Sequence, residues 1–216
     1  SVESSKGPSG ANITVIKSER ASSQAPESHS AYAGNVTQLK VFAKTVTQSW
    51  QGYFGNVSGV ISLGDTGGNV LYNWSAVSPS GEVYATRAPD VNFATIGCAN
   101  SLEISSEETY IGQDSSDADS ITNTFNQNNH PEFFTGPVQI NASTCNSTNI
   151  FDENGNQITK FFNVLLSDEA SNIIYTSILE QKEIGFDSRT HDFEMIVGEN
   201  GRDESTTPYY FYIEIH

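Results

Sequence analysis

Apolar and polar residues alternate along much of this chain with a period near two, the spacing of a strand that buries one face. From Gly34 onward, Val36, Leu39, Val41, Ala43 and Val46 open such a stretch, and it runs on to Trp50 with Thr, Gln and Lys between. Residues 57–63 and 70–76 read as a hairpin pair around Asp65-Thr66-Gly67-Gly68-Asn69, and residues 82–86 follow the turn Pro79-Ser80-Gly81. Residues 161–166, 173–179, 193–197 and 209–215 repeat the pattern after Cys145. Turn clusters at Asp152-Glu153-Asn154-Gly155-Asn156 and Gly198-Glu199-Asn200-Gly201 separate them. About eight or nine strands joined by short turns predict an all-β protein, an immunoglobulin-like or jelly-roll-type β-sandwich.

Two segments break the pattern. Residues 1–33 are rich in Ser, Gly, Pro and charge except for one β-prone island, Asn12-Ile13-Thr14-Val15-Ile16. A single short strand buries too little surface to offset its ordering entropy, so it must join a sheet. Residues 1–33 are therefore expected to be an extended N-terminal arm with a candidate donor strand at 12–17, and residues 34–216 the sandwich domain. The second break, about 99–145, is an irregular insertion that carries Glu103, Glu107, Glu108, Asp114, Asp117 and Asp119 with few large apolar residues. Short helical turns are predicted at 105–111 and 117–125, each with acidic residues near its start.

Composition narrows the function classes. Ten basic against 26 acidic residues give a formal charge of −16, which repels a phosphate backbone and argues against nucleic acid as a partner. No run approaches the roughly 20 apolar residues of a membrane span. A chain that opens on Ser1 fits the expectation of an exported protein with its leader removed. Cys98 and Cys145 are the whole thiol inventory, too few for a thiolate metal site, so they are expected to form a disulfide in an oxidising compartment. Closing that loop stabilises by about 4 kcal/mol in the chain-entropy model.

Candidate chemistry is thin. Asp65-Thr66-Gly67 resembles the catalytic turn of an aspartic protease, but only one copy is present and Gly68 stands where a supporting hydroxyl belongs. The serine-protease look-alike Gly64–Gly68 has Thr66 at the nucleophile position and no histidine beside it. No enzymatic activity is expected. His29, His130, His191 and His216 lack a second His or Cys at metal-ligand spacing and read as solvated. Asp114, Asp117 and Asp119, or the oxygens of residues 152–156, are candidate Ca²⁺ ligands without the spacing of an EF-hand. Trp50, Tyr53, Phe54, Tyr72, Trp74 and Tyr84 are either sugar-stacking platforms or core, with core favoured. N-glycosylation sequons occur at Asn12, Asn35, Asn56, Asn73, Asn141 and Asn146, little more than chance supplies in a chain so rich in Asn, Ser and Thr.

As a set, residues 33–39 (AGNVTQL), 48–59 (QSWQGYFGNVSG) and 81–86 (GEVYAT), with the closing strands FEMIV and YYFYIE, resemble secreted archaeal cell-surface and extracellular-filament glycoproteins. The resemblance covers most of residues 34–216 and implies an exported, N-glycosylated β-rich protein of the envelope or of a filament. The chain departs from class III archaeal pilins, whose filament core is a long hydrophobic N-terminal helix, because its own N-terminus is polar.

The expected function is thus a structural subunit of an extracellular filament or surface layer. Ile13, Val15 and Ile16 of the arm would complete the sheet of a neighbouring copy, with no cofactor required. Two alternatives stand beside it: an arm folded back on its own domain, and a monomeric carbohydrate-binding or adhesion module.

Overall fold

The computed structural model describes residues 12–20, 27–32, 37–41, 49–64, 70–76, 80–152, 154–200 and 208–215, and the side chains of 49–57, 80–152, 154–200 and 208–215. Within them every strand pairing is antiparallel. The first sheet is built on the fifteen-residue β4 (Trp50–Gly64). On one side of it lies β1 (Asn12–Arg20), which pairs in turn with β2 (Glu27–Tyr32). On the other side β15 (Phe193–Gly198) pairs with residues 50–55, and β5 (Val70–Ala76) pairs with residues 59–64. The second sheet runs β10 (Ser147–Phe151), β11 (Gln157–Ser167), β12 (Ile173–Ile178), β6 (Gly81–Thr86), β16 (Tyr209–Ile215), β3 (Thr37–Val41), and the two-residue β7 (Gly97–Cys98) joins it beside β11.

Alternation decides which side chains face the space between the sheets. From the first sheet Tyr53, Val57, Phe193, Met195 and Val197 point inward, and from the second Val83, Ala85, Leu165, Tyr175, Phe211 and Ile213 meet them. The protein is an all-β sandwich. The second sheet is also buried on its other face, where Tyr84, Val164, Leu166, Ile174 and Tyr212 pack under Ile96, Phe133, Ile140 and Cys145. This is why β11, β12 and β16 read as nearly continuous apolar runs: a strand covered on both faces needs apolar side chains at odd and even positions alike.

The cover on that outer face is the insertion. Its hairpin of β8 (Phe133–Thr135) and β9 (Val138–Ile140) supplies the apolar cap, and the Cys98–Cys145 disulfide closes its two ends, with the Cα atoms 5.0 Å apart. The helix α1 (Ser101–Ile111) starts earlier than its acidic residues alone predict. Asn100 accepts from the Leu102 and Glu103 N–H groups while Glu103 reaches back to the Asn100 N–H, a complete capping box. Gly112, at φ 76°, ends the helix in the left-handed conformation. The predicted second helix contracts to α2 (Ile121–Thr124), capped by Ser120. Ile104, Ile111, Ile121 and Phe125 of these helices fill one end of the central core, against Tyr175.

Edges are sealed by side chains. The outer edge of β15 would present an unpaired Ile196 N–H and Glu194 carbonyl. The buried Asn163 accepts from that N–H at 3.1 Å and donates to that carbonyl at 3.0 Å, and the Ser177 hydroxyl donates to the same carbonyl. Asn163 and Ser177 are cross-strand partners on the inward face of the second sheet, so one polar pair stitches the two sheets together. Residues 27–32, expected as part of a polar arm, form β2 by pairing with β1. No helix among the described residues is long and apolar enough to cross a membrane.

Candidate functional site

The connection between β12 and β15 builds a dense polar cluster on the first sheet. After β12 the chain makes a small hairpin of β13 (Glu183–Ile184) and β14 (Thr190–His191), then enters β15. Asp192 anchors it: its carboxylate accepts the Val57 N–H at 2.6 Å and the Lys182 N–H at 2.9 Å. The position follows from pairing, because β15 leaves β4 at Gly55 and β5 begins at Gly59, so the Val57 N–H in the gap needs another acceptor. Asp192 supplies it.

The anchor lays the hairpin over Phe54, on the outer face of the sheet. The His191 ring lies 4.7 Å from the Phe54 ring and stacks on Phe186 at 6.3 Å, with 19° between the planes. Its Nε2 is 2.8 Å from Asp187 Oδ1 and 4.0 Å from Glu194 Oε1. Asp187 also holds Arg189, Oδ2 to Nε at 2.5 Å. Glu194 neighbours Phe54 across the β15–β4 pair, and its Oε1 accepts the Phe186 N–H at 3.0 Å. Glu194 Oε2 and His191 Nδ1 are buried without a hydrogen-bond partner. Burial pushes the Glu194 carboxyl up to about 7, the Phe186 N–H opposes that, and the Asp187 charge adds to it. Burial alone would raise the Asp187 carboxyl, but its bonds to His191 and Arg189 together outweigh that and hold it below its ordinary value.

A second polar cluster sits under the cover. Glu82 and Glu214 are direct partners across the β6–β16 pair, like charges in the position where they repel most. Tyr84 donates to Glu214 at 3.0 Å, and the Gly136 N–H of the covering hairpin donates to the same Glu214 oxygen at 2.7 Å. Burial first, and the Glu214 charge second, push Glu82 up to about 8. A carboxyl raised that far favours its neutral form at pH 7.

A cleft of about 580 Å³ opens beside α1, lined by Thr86, Arg87, Asp90, Glu103, Glu107 and Tyr110 among others. Arg87 forks onto both carboxylate oxygens of Glu107, and its guanidinium lies 3.5 Å from the centre of the Tyr110 ring. Tyr110 remains 68% exposed.

Of the residues singled out from sequence, Cys98 and Cys145 form the expected disulfide. Asn141 and Asn146 are exposed on either side of Cys145, and Asn56 is half-buried with its Oδ1 enclosed. Asn12 and Asn73 lie on β1 and β5 with side chains outside the described residues, as does the whole of Asn35. Ile13, Val15 and Ile16 lie on β1, between β2 and β4 of the same chain. The Asp65-Thr66-Gly67 tripeptide lies outside the described residues. Asp114 accepts from the Ser116 N–H and hydroxyl, and Asp152 from the Asn154 and Asn156 N–H groups; both are turns closed by their own backbone.

One expectation is corrected, and the favoured reading of the aromatic residues holds for those whose side chains are described. His130 and His191 are buried rather than solvated: His130 Nε2 accepts the Cys145 N–H at 3.0 Å while Nδ1 donates to the Pro131 carbonyl. His130 meets a hydrogen-bond donor fifteen residues away, and His191 is buried against Phe54 of a distant strand, neither of which local sequence shows. Trp50, Tyr53 and Tyr84 are core, and Phe54 is covered by Phe186 and His191, so none of these four is a sugar platform. The Trp50 indole N–H donates to the Asp119 carbonyl at 2.7 Å, tying the insertion to β4. The Asp187–His191–Glu194 grouping escaped the sequence reading, which sought a second His or Cys; the spacing Asp-x₃-His-x₂-Glu was its visible trace. Comparison with protein-family models, with curated proteins and with solved structures gave no match.

Proposed function

We propose that this protein is a structural subunit of an extracellular filament or surface layer, joined to its neighbours by exchange of the first hairpin. The observation that carries the reading is the placement of β1. It comes from the start of the chain, yet it lies inside a sheet, registered on β4 from Ile13↔Gly59 to Arg20↔Tyr53 and on β2 along its other edge. A strand so placed can be supplied by a neighbouring copy in the same register, and head-to-tail repetition of that exchange makes a linear polymer. The disulfide supports an oxidising environment. The exposed Asn141 and Asn146 support glycans on the outer cover, as does the resemblance to archaeal surface glycoproteins.

The register supplies the test. Thr14 and Ser58 are direct partners, and opposed strand residues have the Cα separation, about 4.5–5.5 Å, that a disulfide needs. In the double variant Thr14→Cys, Ser58→Cys, non-reducing electrophoresis of assembled material is expected to show a ladder of covalent multimers. Assemblies that dissolve into internally cross-linked single chains, or a protein that forms no assembly, would overturn the exchange.

A second reading, a monomeric surface adhesion module that binds carbohydrate, is favoured by the exposed Tyr110 ring over the cleft at Arg87. Glycan binding that disappears in Tyr110→Ala with the fold intact would select it.

A further inference from the structure

We infer that Asp187, His191 and Glu194 form a binding site for a divalent cation of the Zn²⁺ class, ligated by Asp187 Oδ1, His191 Nε2 and a Glu194 carboxylate oxygen. Donor atoms from the three side chains lie within 4.8 Å of one another. One imidazole nitrogen and two carboxylates are too few donors, and too nitrogen-rich, for Ca²⁺, which takes about six to eight oxygens. They match the three-protein-ligand arrangement of Zn²⁺, with water in the fourth place.

The distances agree. Ligands held about 2.0–2.2 Å from a tetrahedral ion lie roughly 3.3–3.6 Å from each other. The present separations from His191 Nε2, 2.8 Å to Asp187 and 4.0 Å to Glu194, bracket that range, and the Asp187–Glu194 pair, within 4.8 Å, would close on the ion. Binding would replace the proton shared between His191 and Asp187 with the ion.

Two independent features point to a ligand. Glu194 is 2% exposed and its Oε2 has no hydrogen-bond partner, a costly state for a carboxylate that a cation at its face removes. The backbone also makes room for that carboxylate: a Cβ on Gly185 would stand 1.6 Å from Glu194 Oε1, so this position admits only glycine while the carboxylate stays where it is. The frame is rigid as well, since Asp192, adjacent to His191, is fixed to Val57 and Lys182. Arg189 is the opposing charge. Its side chain is 62% exposed on the Asp187 Oδ2 side, where solvent screens it, and Oδ1 is left facing His191. An ion here would cross-link the β12–β15 connection to the sheet beneath it.

The test uses the full chain stripped with a chelator, titrated with Zn²⁺ by calorimetry and with Co²⁺ by visible absorption. One equivalent is expected to bind, with Co²⁺ bands of low-symmetry coordination by nitrogen and oxygen and a raised melting temperature. Glu194→Gln is expected to weaken binding by more than the about 10–100-fold that changes outside the ligand shell produce. Asp187→Asn, at the open rim, is expected to weaken it about tenfold or more with the apo fold unchanged, and it decides the matter if Glu194→Gln does not fold. No stoichiometric binding, or binding of equal strength in Asp187→Asn, overturns the site. The outcome does not depend on assembly, and the proposed structural role stands or falls separately.

Discussion

Asn163 shows how much one residue can decide here. It is buried in the second sheet, yet two of its hydrogen bonds end on the backbone of β15 in the first. Asn163→Leu keeps the branched shape in a bulkier side chain and removes both, stranding the buried Ile196 N–H and leaving the Glu194 carbonyl with Ser177 alone. The expected loss is about 3 kcal/mol, read from urea denaturation. Glu82 makes a different prediction. Its carboxyl, about 8 in the folded protein against an ordinary 4.5, holds a proton more tightly folded than unfolded. The stability it contributes is complete below pH 4.5 and is lost as pH rises through 8, at up to about 1.4 kcal/mol per pH unit. Glu82→Gln carries no titrating proton, so the fall in unfolding free energy between pH 5 and pH 8 is expected to be shallower in the variant than in the wild type. Equal slopes would show that Glu82 does not hold the proton.

At the scale of elements, the outer cover depends on its staple. The β8–β9 hairpin meets the sheet through Phe133, Ile140 and one hydrogen bond from Gly136 to Glu214, while Cys98–Cys145 closes the segment. The double variant Cys98→Ser, Cys145→Ser is expected to lose about 4 kcal/mol. Hydrogen exchange should quicken first at residues 133–140, before the strands of the first sheet. Elements differ in how plainly the sequence announces them. The strands from Gln157 to Ile215 were legible because their own apolar content sets their period. β2, Glu-Ser-His-Ser-Ala-Tyr, has no such content and is a strand only because β1 lies beside it. The Asp187–His191–Glu194 cluster was hidden for the same reason: turn residues surround it locally, and its burial comes from Phe54 on a distant strand. Local pattern reveals what a segment prefers, and long-range pairing decides what it becomes.

Across the whole molecule, three layers share one wall. The first sheet, the second sheet and the insertion stack so that the second sheet is interior on both faces. The first sheet, by contrast, depends on a strand from the opening residues of the chain. The disulfide and the β1 strand thus belong to different sheets of one fold, a division that suits the proposed structural subunit.

The placement of the disulfide also fixes how the molecule would lengthen under pull. The bridge spans a sequence separation of 47 residues, so traction applied at the two termini bypasses that segment. At about 3.4 Å per residue, roughly 160 Å of chain stays hidden from the load until the bond is cut. Stretching single molecules with and without reductant should therefore give final lengths that differ by that amount, a reserve that a thread exposed to flow would keep locked.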